Sequence, residues 1–160
     1  MNSPIVAIIG AGQVGATTAQ RLVEKDIANV IIFDIADGLA EGKALDLMEA
    51  APVEGHSKQV SGTSDIAGIK GANIVVITAG LPRKPGMSRD DLLTSNAAIV
   101  QSVCKGIAEH APNSIIITVT NPLDIMTDLA AKLLGFPKSR VFGMAGVLDA
   151  ARMRYFVAEE

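Results

Sequence analysis

Short, unbroken apolar runs alternate with longer amphipathic stretches along this chain. The first run, Ile5-Val6-Ala7-Ile8-Ile9, contains no polar residue and ends at Gly10. A strand with one face in water alternates polar and apolar positions, so an unbroken run reads as a strand buried on both faces. The same kind of run recurs at 30–33, 74–78 and 115–119, with weaker candidates at 59–62 and 140–143. Helical stretches fall between the runs, at 13–25, 39–50 and 89–110. The third places Leu93, Ala97, Val100, Cys104 and Ile107 on one face at spacings of three and four. Asn121 and Pro122 open a fourth helix that stops at Gly135-Phe136-Pro137. A fifth begins near Val147 and is still running at Glu160, with no Gly, Asn or Pro stop signal. The segment 62–73 reads as a short polar crossover. Strands alternating with helices predict an α/β fold, a doubly wound, six-stranded parallel sheet with helices on both faces.

Composition narrows the picture. The chain has 160 residues, enough for one ordinary domain and too few for two. Hydrophobic residues make up 49% and charged residues 19%, which excludes a disordered tail. A mean hydropathy of +0.36 implies strands buried on both faces or apolar surface that expects a partner. No apolar run approaches the roughly 18 residues of a membrane span. Fourteen basic and 17 acidic residues leave no global positive field for nucleic acid. Cys104, the single cysteine, makes neither an internal disulfide nor a zinc site, and its place on an apolar helix face makes it a core residue. Met1-Asn2-Ser3-Pro4 shows no basic segment before the apolar run, so the expected compartment is a reducing cytoplasm.

Gly10-Ala11-Gly12-Gln13-Val14-Gly15 matches G-x-G-x-x-G, with a strand before it and a helix after it. In that context Gly10 permits the tight turn, Gly12 lets a pyrophosphate approach the backbone, and Gly15 lets the helix pack on the strand. The free N–H groups at the helix start face the phosphates. Asp34 follows the second strand, near the expected spacing of about 20 residues. Its carboxylate accepts from ribose hydroxyls and repels a 2′-phosphate, which favours NAD over NADP. The sheet is therefore read as Rossmann-type. A P-loop is excluded, because Gly38-Leu39-Ala40-Glu41-Gly42-Lys43-Ala44 has the wrong spacing and no Ser or Thr.

After the fourth strand comes Ala79-Gly80-Leu81-Pro82-Arg83-Lys84-Pro85-Gly86-Met87-Ser88-Arg89, a basic loop in an acidic chain. It leaves the carboxyl end of a strand, and its Pro and Gly suit a lid. Taken with the glycine turn, Phe33-Asp34-Ile35, Gly42-Lys43-Ala44-Leu45-Asp46-Leu47, Val119-Thr120-Asn121-Pro122 and Gly146-Val147-Leu148-Asp149-Ala150-Ala151-Arg152, the whole chain resembles the NAD-dependent malate/lactate dehydrogenase family. Arg83 stands where the malate type has an arginine for the substrate's distal carboxylate and the lactate type has glutamine.

The resemblance implies roles for single residues. Arg89 polarises the keto oxygen, Arg152 binds the C1 carboxylate with its forked guanidinium, and Asn121 hydrogen-bonds the substrate oxygen before a cis Asn121–Pro122 bond. Asp149 orients a catalytic histidine. Gly10, Gly12, Gln13, Val14, Gly15, Asp34, Thr78, Ala79, Gly80, Asn96, Val119 and Asn121 hold NAD. Without the resemblance, Asp149 and Arg152 are an ordinary i, i+3 surface pair.

The family's proton-donor histidine stands in a Gly-x-His-Gly-type segment beyond Asp149, and this sequence has none. His56 and His110 precede strands and so belong at the amino edge of the sheet, away from the cofactor, as surface or loop residues. The domain reading is residues 1–146 as an NAD-binding domain and 147–160 as the start of a helix leading to an absent substrate domain. Three functions stay open: the amino-terminal portion of a malate dehydrogenase acting on malate/oxaloacetate, a stand-alone NAD-binding module, or an interaction module that docks a partner chain. The resemblance also implies a homo-oligomer, with the helix at 39–50 at a subunit contact.

Overall fold

The computed structural model describes residues 3–82 and 85–160. Its six strands are β1 (Ile5–Ile9), β2 (Asn29–Phe33), β3 (Val60–Thr63), β4 (Ile74–Ile77), β5 (Ile115–Thr118) and β6 (Val141–Gly143). They form one parallel sheet in the order β3-β2-β1-β4-β5-β6. The order reverses between β1 and β4, and this is where a doubly wound sheet opens a crevice at its carboxyl edge.

The helices are α1 (Gln13–Glu24), α2 (Leu39–Glu54), α3 (Arg89–His110), α4 (Leu123–Leu134) and α5 (Gly146–Glu159). Successive strand residues point to opposite faces, so each apolar run feeds two cores. On one face Val6, Ile8, Val30 and Ile32 pack with Ala19 and Val23 of α1 and Ala40 and Ala44 of α2. On the other Ala7, Ile9, Val75, Ile77 and Ile116 pack with Val100, Cys104 and Ile107 of α3 and Met126 and Ala130 of α4. The unbroken runs are therefore what a sheet covered on both sides requires.

Two local readings of the sequence need correction. The segment 62–73 is more than a polar crossover. It contains a 3-10 turn, Ile66–Ile69, capped by Asp65, whose Oδ1 accepts from the Ala67 N–H at 2.9 Å. Ile69 is fully buried, and Ile66 packs where a side chain on Gly106 of α3 would stand. Helix α2 also runs past residue 50 to Glu54, through Pro52. A proline that close to the end removes one hydrogen bond without forcing a stop. Gly55, at φ +76°, closes the helix by donating to the Ala51 carbonyl.

Helix α5 differs from the other four in that every residue from Gly146 to Glu159 is exposed. Val147, Leu148, Met153, Tyr155, Phe156 and Val157 all present apolar surface. Ile115, Phe142 and Met144 also leave part of β5, β6 and the residue after β6 exposed. An apolar groove of about 250 Å³ runs between α1 and β4–β5, lined by residues that include Leu22, Ile74, Val76 and Ile117. No helix among the described residues is long and apolar enough to cross a membrane.

Candidate functional site

Parallel strands bring their carboxyl ends to one edge, and five of the segments singled out in the sequence meet there. The glycine turn follows β1, Asp34 follows β2, Thr78-Ala79-Gly80 follows β4, Val119-Thr120-Asn121 follows β5, and α5 follows β6. Backbone hydrogen bonds tie the ends together: the Gly10 N–H donates to Phe33, the Thr78 N–H to Ile9 and the Val119 N–H to Ile77.

The three glycines are held for different reasons. Gly10 has φ +108°, and a side chain there would come within 2.9–3.0 Å of Ala79 and Thr78. At Gly15 a side chain would strike the Gly10 carbonyl and the Thr78 hydroxyl. Gly12 is unlike both. Its φ of −66° suits any residue, and among the described residues no atom beyond its own chain neighbours lies within 4 Å of the place its Cβ would take. The protein itself does not exclude a side chain at Gly12, so the open space is fitted to something else. Gly12 is also the residue before α1, which has no side-chain cap. The first N–H groups of α1 lack intrahelical partners and face this space, as a pyrophosphate requires.

Asp34 is half-buried and carries two backbone hydrogen bonds. Its Oδ2 accepts from the Ala11 N–H at 2.7 Å and its Oδ1 from the Ala36 N–H at 2.9 Å. Each carboxylate oxygen has a second lone pair, so the group can still accept from ribose hydroxyls. Two hollows flank the glycine turn. One, about 350 Å³, runs from Gly10 and Asp34 to Leu39 of α2 on one side and Ile99 and Val103 of α3 on the other. The second, about 620 Å³, runs from Gln13, Val14 and Gly15 to Leu92, Asn96, Val119 and Asn121. They share Gly12, Thr78, Gly80 and Leu81, so together they form a crevice for an elongated ligand with its middle at Gly12. The residues present fit a dinucleotide.

Arg89 and Asn121 are exposed at this edge, with Arg89 opening α3 and Asn121 joined to Pro122 by a cis peptide. Arg83 and Lys84 lie outside the described residues. Asp149 and Arg152 pair with each other, Nη1 to Oδ1 at 3.3 Å, both on the exposed face of α5. Asn96 lines the second hollow, as expected of a residue near the cofactor path, but shows little surface there. It is 1% exposed, and its amide is engaged by Leu81 and Asn121. Thr120, not singled out before, is buried and donates to the Ala79 carbonyl at 2.7 Å. Its place in Val119-Thr120-Asn121-Pro122 was the available signal. Ile35, Leu39, Ile99 and Val103 were also missed as crevice walls, because apolar lining residues look like core in a sequence.

His56 lies just before β3 and His110 is the last residue of α3, both at the amino edge. His56 belongs to a loop but is not a surface residue. It is buried, with Nδ1 3.2 Å from the Lys58 carbonyl. His110 is half-buried beside Glu109. Cys104 is buried, and burial pushes its thiol up to about 11, which leaves it protonated and inert. Among the described residues no group of His, Cys, Asp and Glu is placed to hold a metal ion.

Residues 5–143 match the family model described as lactate/malate dehydrogenase, NAD binding domain. The chain belongs to the lactate/malate dehydrogenase family. The cofactor of this domain is NAD. Among curated relatives, malate dehydrogenase from Nostoc punctiforme is 57% identical over 159 residues, which cover 99% of this chain and 49% of the relative. Malate dehydrogenase from Methanosarcina acetivorans is 54% identical over 155 residues, 97% of this chain and 50% of the relative. In structure, the apo malate dehydrogenase of Picrophilus torridus superposes with a TM-score of 0.94 at 47% identity, covering 98% of this chain and 50% of that one. The lactate dehydrogenase of Cryptosporidium parvum, complexed with lactic acid and β-nicotinamide adenine dinucleotide, gives 0.94 at 42% identity, covering 99% and 50%. The chain thus spans about half the length of the lactate/malate dehydrogenase relatives it matches.

Proposed function

We propose that this chain is the dinucleotide-binding half of an NAD-dependent malate dehydrogenase, with residues 1–146 as the binding domain and 147–160 opening a substrate-side domain. The open space at Gly12 beside the Asp34 carboxylate carries this reading, since the protein leaves that space free and lines it with N–H donors. NAD supplies a hydride acceptor, and the residues of the chain do the rest. Gly12, Gln13, Val14 and Gly15 seat the pyrophosphate on the start of α1. Asp34 takes the adenosine ribose. Gly10, Thr78, Ala79, Gly80, Val119 and Asn121 line the path between the adenine and nicotinamide ends, and Asn96 stands behind it.

On the substrate, Arg83 pairs with the distal carboxylate of malate or oxaloacetate and Arg152 with the C1 carboxylate. Arg89 stabilises the charge that develops on the keto oxygen during reduction, and Asn121 orients that oxygen. Asp149 orients a histidine supplied by the other half, which holds the transferred proton. Its present partner, Arg152, is an exposed i, i+3 neighbour worth little in water, so both groups can exchange partners at small cost. The other half also covers α5 and the apolar groove beside α1. The working location is the cytoplasm, and the assembly is a homo-oligomer with α2 at a subunit contact. Exposed Leu39, Leu45 and Val53 on α2 support that contact.

Titration of the 160-residue chain with NADH, read by nicotinamide fluorescence, followed by addition of oxaloacetate, tests the reading. The expected result is binding without oxidation, and oxidation once the chain is joined to the carboxyl-terminal half of a malate dehydrogenase relative. Absence of NADH binding would remove the reading. Turnover by the chain alone would remove the assignment of the proton donor to the other half. Binding with no turnover in the joined protein would leave a stand-alone NAD module.

A further inference from the structure

Asn96 is nearly inaccessible, yet its side chain joins three points of the crevice wall. Its Oδ1 accepts from the Leu81 N–H at 2.7 Å. Its Nδ2 donates to the Asn121 carbonyl at 2.7 Å and to the Leu81 carbonyl at 3.3 Å. Reversing the amide would set its oxygen against two carbonyl oxygens, so the partners fix its orientation. Thr120 braces the same strap from below. Its hydroxyl donates to the Ala79 carbonyl, and its methyl group fills the place a Gly80 side chain would take, 2.7 Å from that Cβ position. A Gly80 side chain would also sit 3.4 Å from both polar atoms of the Asn96 amide.

We propose that Asn96 is a positioning residue that locks the root of the basic loop, at Leu81, to Asn121, so that both walls of the nicotinamide end of the crevice move as one body. The inference rests on the proposed dinucleotide function for its consequence, but the lock itself is a property of the protein without ligand. Both amide hydrogens are committed to backbone carbonyls, so Asn96 acts on a ligand through Leu81 and Asn121. The loop that starts at Leu81 carries Arg83 and ends at Arg89, and Asn121 is the substrate-facing residue opposite. A buried amide satisfied by three backbone groups is costly to leave half-paired.

The experiment compares wild type, Asn96→Ala and Asn96→Asp in the absence of ligand, by amide hydrogen exchange at Leu81. Asn96→Ala removes every contact. Asn96→Asp keeps an acceptor for the Leu81 N–H and loses the donor to Asn121. The Leu81 amide is expected to exchange about tenfold faster in Asn96→Ala and by a smaller factor in Asn96→Asp, whose carboxylate still accepts from the Leu81 N–H while facing the Asn121 carbonyl. General loosening would speed exchange equally in both variants and across β4 and β5 alike, and that outcome would overturn the proposal. Unchanged exchange in Asn96→Ala would overturn it too. NADH and ADP-ribose are then titrated separately. Both variants are expected to bind NADH about tenfold more weakly and ADP-ribose nearly as well as wild type, because ADP-ribose fills the Asp34 side. Equal loss for both probes would overturn the assignment to the nicotinamide end. If wild type bound neither probe, the dinucleotide reading would fall while the Leu81 exchange pattern would still decide the lock.

Discussion

Asp34 holds the Ala11 N–H at 2.7 Å, so the residue proposed to select the cofactor also shapes the loop proposed to seat it. Ala11 is 2% exposed, and its N–H has no water to turn to when the carboxylate is removed. Asp34→Ala is therefore expected to cost about 1–3 kcal/mol of stability as well as NADH affinity. Asp34→Asn keeps one acceptor and should retain more of the fold, while the charge that repels a 2′-phosphate is gone. The measurement is the pair of dissociation constants for NADH and NADPH. Their ratio should narrow in both variants, and an unchanged ratio would remove Asp34 from cofactor choice.

The glycines separate packing from binding. Gly12→Ala adds a methyl group in open space at an ordinary φ, so its thermal midpoint should stay near wild type. Its NADH affinity should fall by about ten- to a hundredfold, the equivalent of about 1–3 kcal/mol of crowding. Gly15→Ala drives the same methyl group into Gly10 and Thr78, so it should lower the unfolding midpoint before any ligand is added. Calorimetry and NADH titration on the two proteins check the contrast.

Ser88 and Asp91 form a reciprocal cap at the start of α3, where the basic loop ends. The Ser88 N–H and hydroxyl donate to Asp91, and the Asp91 N–H donates to the Ser88 oxygen. The Ser88 hydroxyl, then its N–H, hold the Asp91 carboxyl below the usual carboxylate range. A carboxyl whose folded value is depressed contributes stability above its unfolded value and loses it as pH falls through the folded one. The cap should therefore stay intact at neutral pH and be released only in acid below the ordinary aspartate value. A side-chain carboxyl titration by nuclear magnetic resonance should find Asp91 low in wild type and returned upward in Ser88→Ala. That variant should also lose about 1 kcal/mol of stability.

Ile69 tests the crossover. It is fully buried in the larger core, so Ile69→Ala should cost about 2–5 kcal/mol. In urea the midpoint should fall with the slope unchanged. A loss below about 0.5 kcal/mol would return the crossover to a polar surface connection.

Sheet and site were legible to different depths, for physical reasons. Strands β1 and β4 declare themselves because burial on both faces removes every polar residue from the strand, and β5 keeps only the buried Thr118. Gly10, Gly12, Gly15 and Asp34 were legible because their chemistry needs those residue types at fixed spacing. Ile69 was not, because a four-residue 3-10 turn is too short to show a period. The last residues of α2 were hidden by Pro52, whose effect depends on distance from a helix end that a sequence does not mark. Asn96 showed as a polar residue near the site, but whether an amide faces ligand or backbone depends on Leu81 and Asn121, far from it along the chain. His56 reads as a loop residue, and nothing in its neighbouring sequence marks it as buried.

The hollow at Asp34, where the adenine end is proposed to lie, has one lip on each face of the sheet. Leu39 belongs to the helix that packs with Val6 and Ile8, whereas Val103 belongs to the core beneath Ala7 and Ile9. The two cores touch different faces of the same strands and share no helix. A packing defect in one therefore tilts a single wall and leaves the opposite wall as a fixed reference. Gradual warming or a mild core substitution would then show itself as a change in the width of the slot, felt by the flat adenine ring, before the sheet between the two walls gives way.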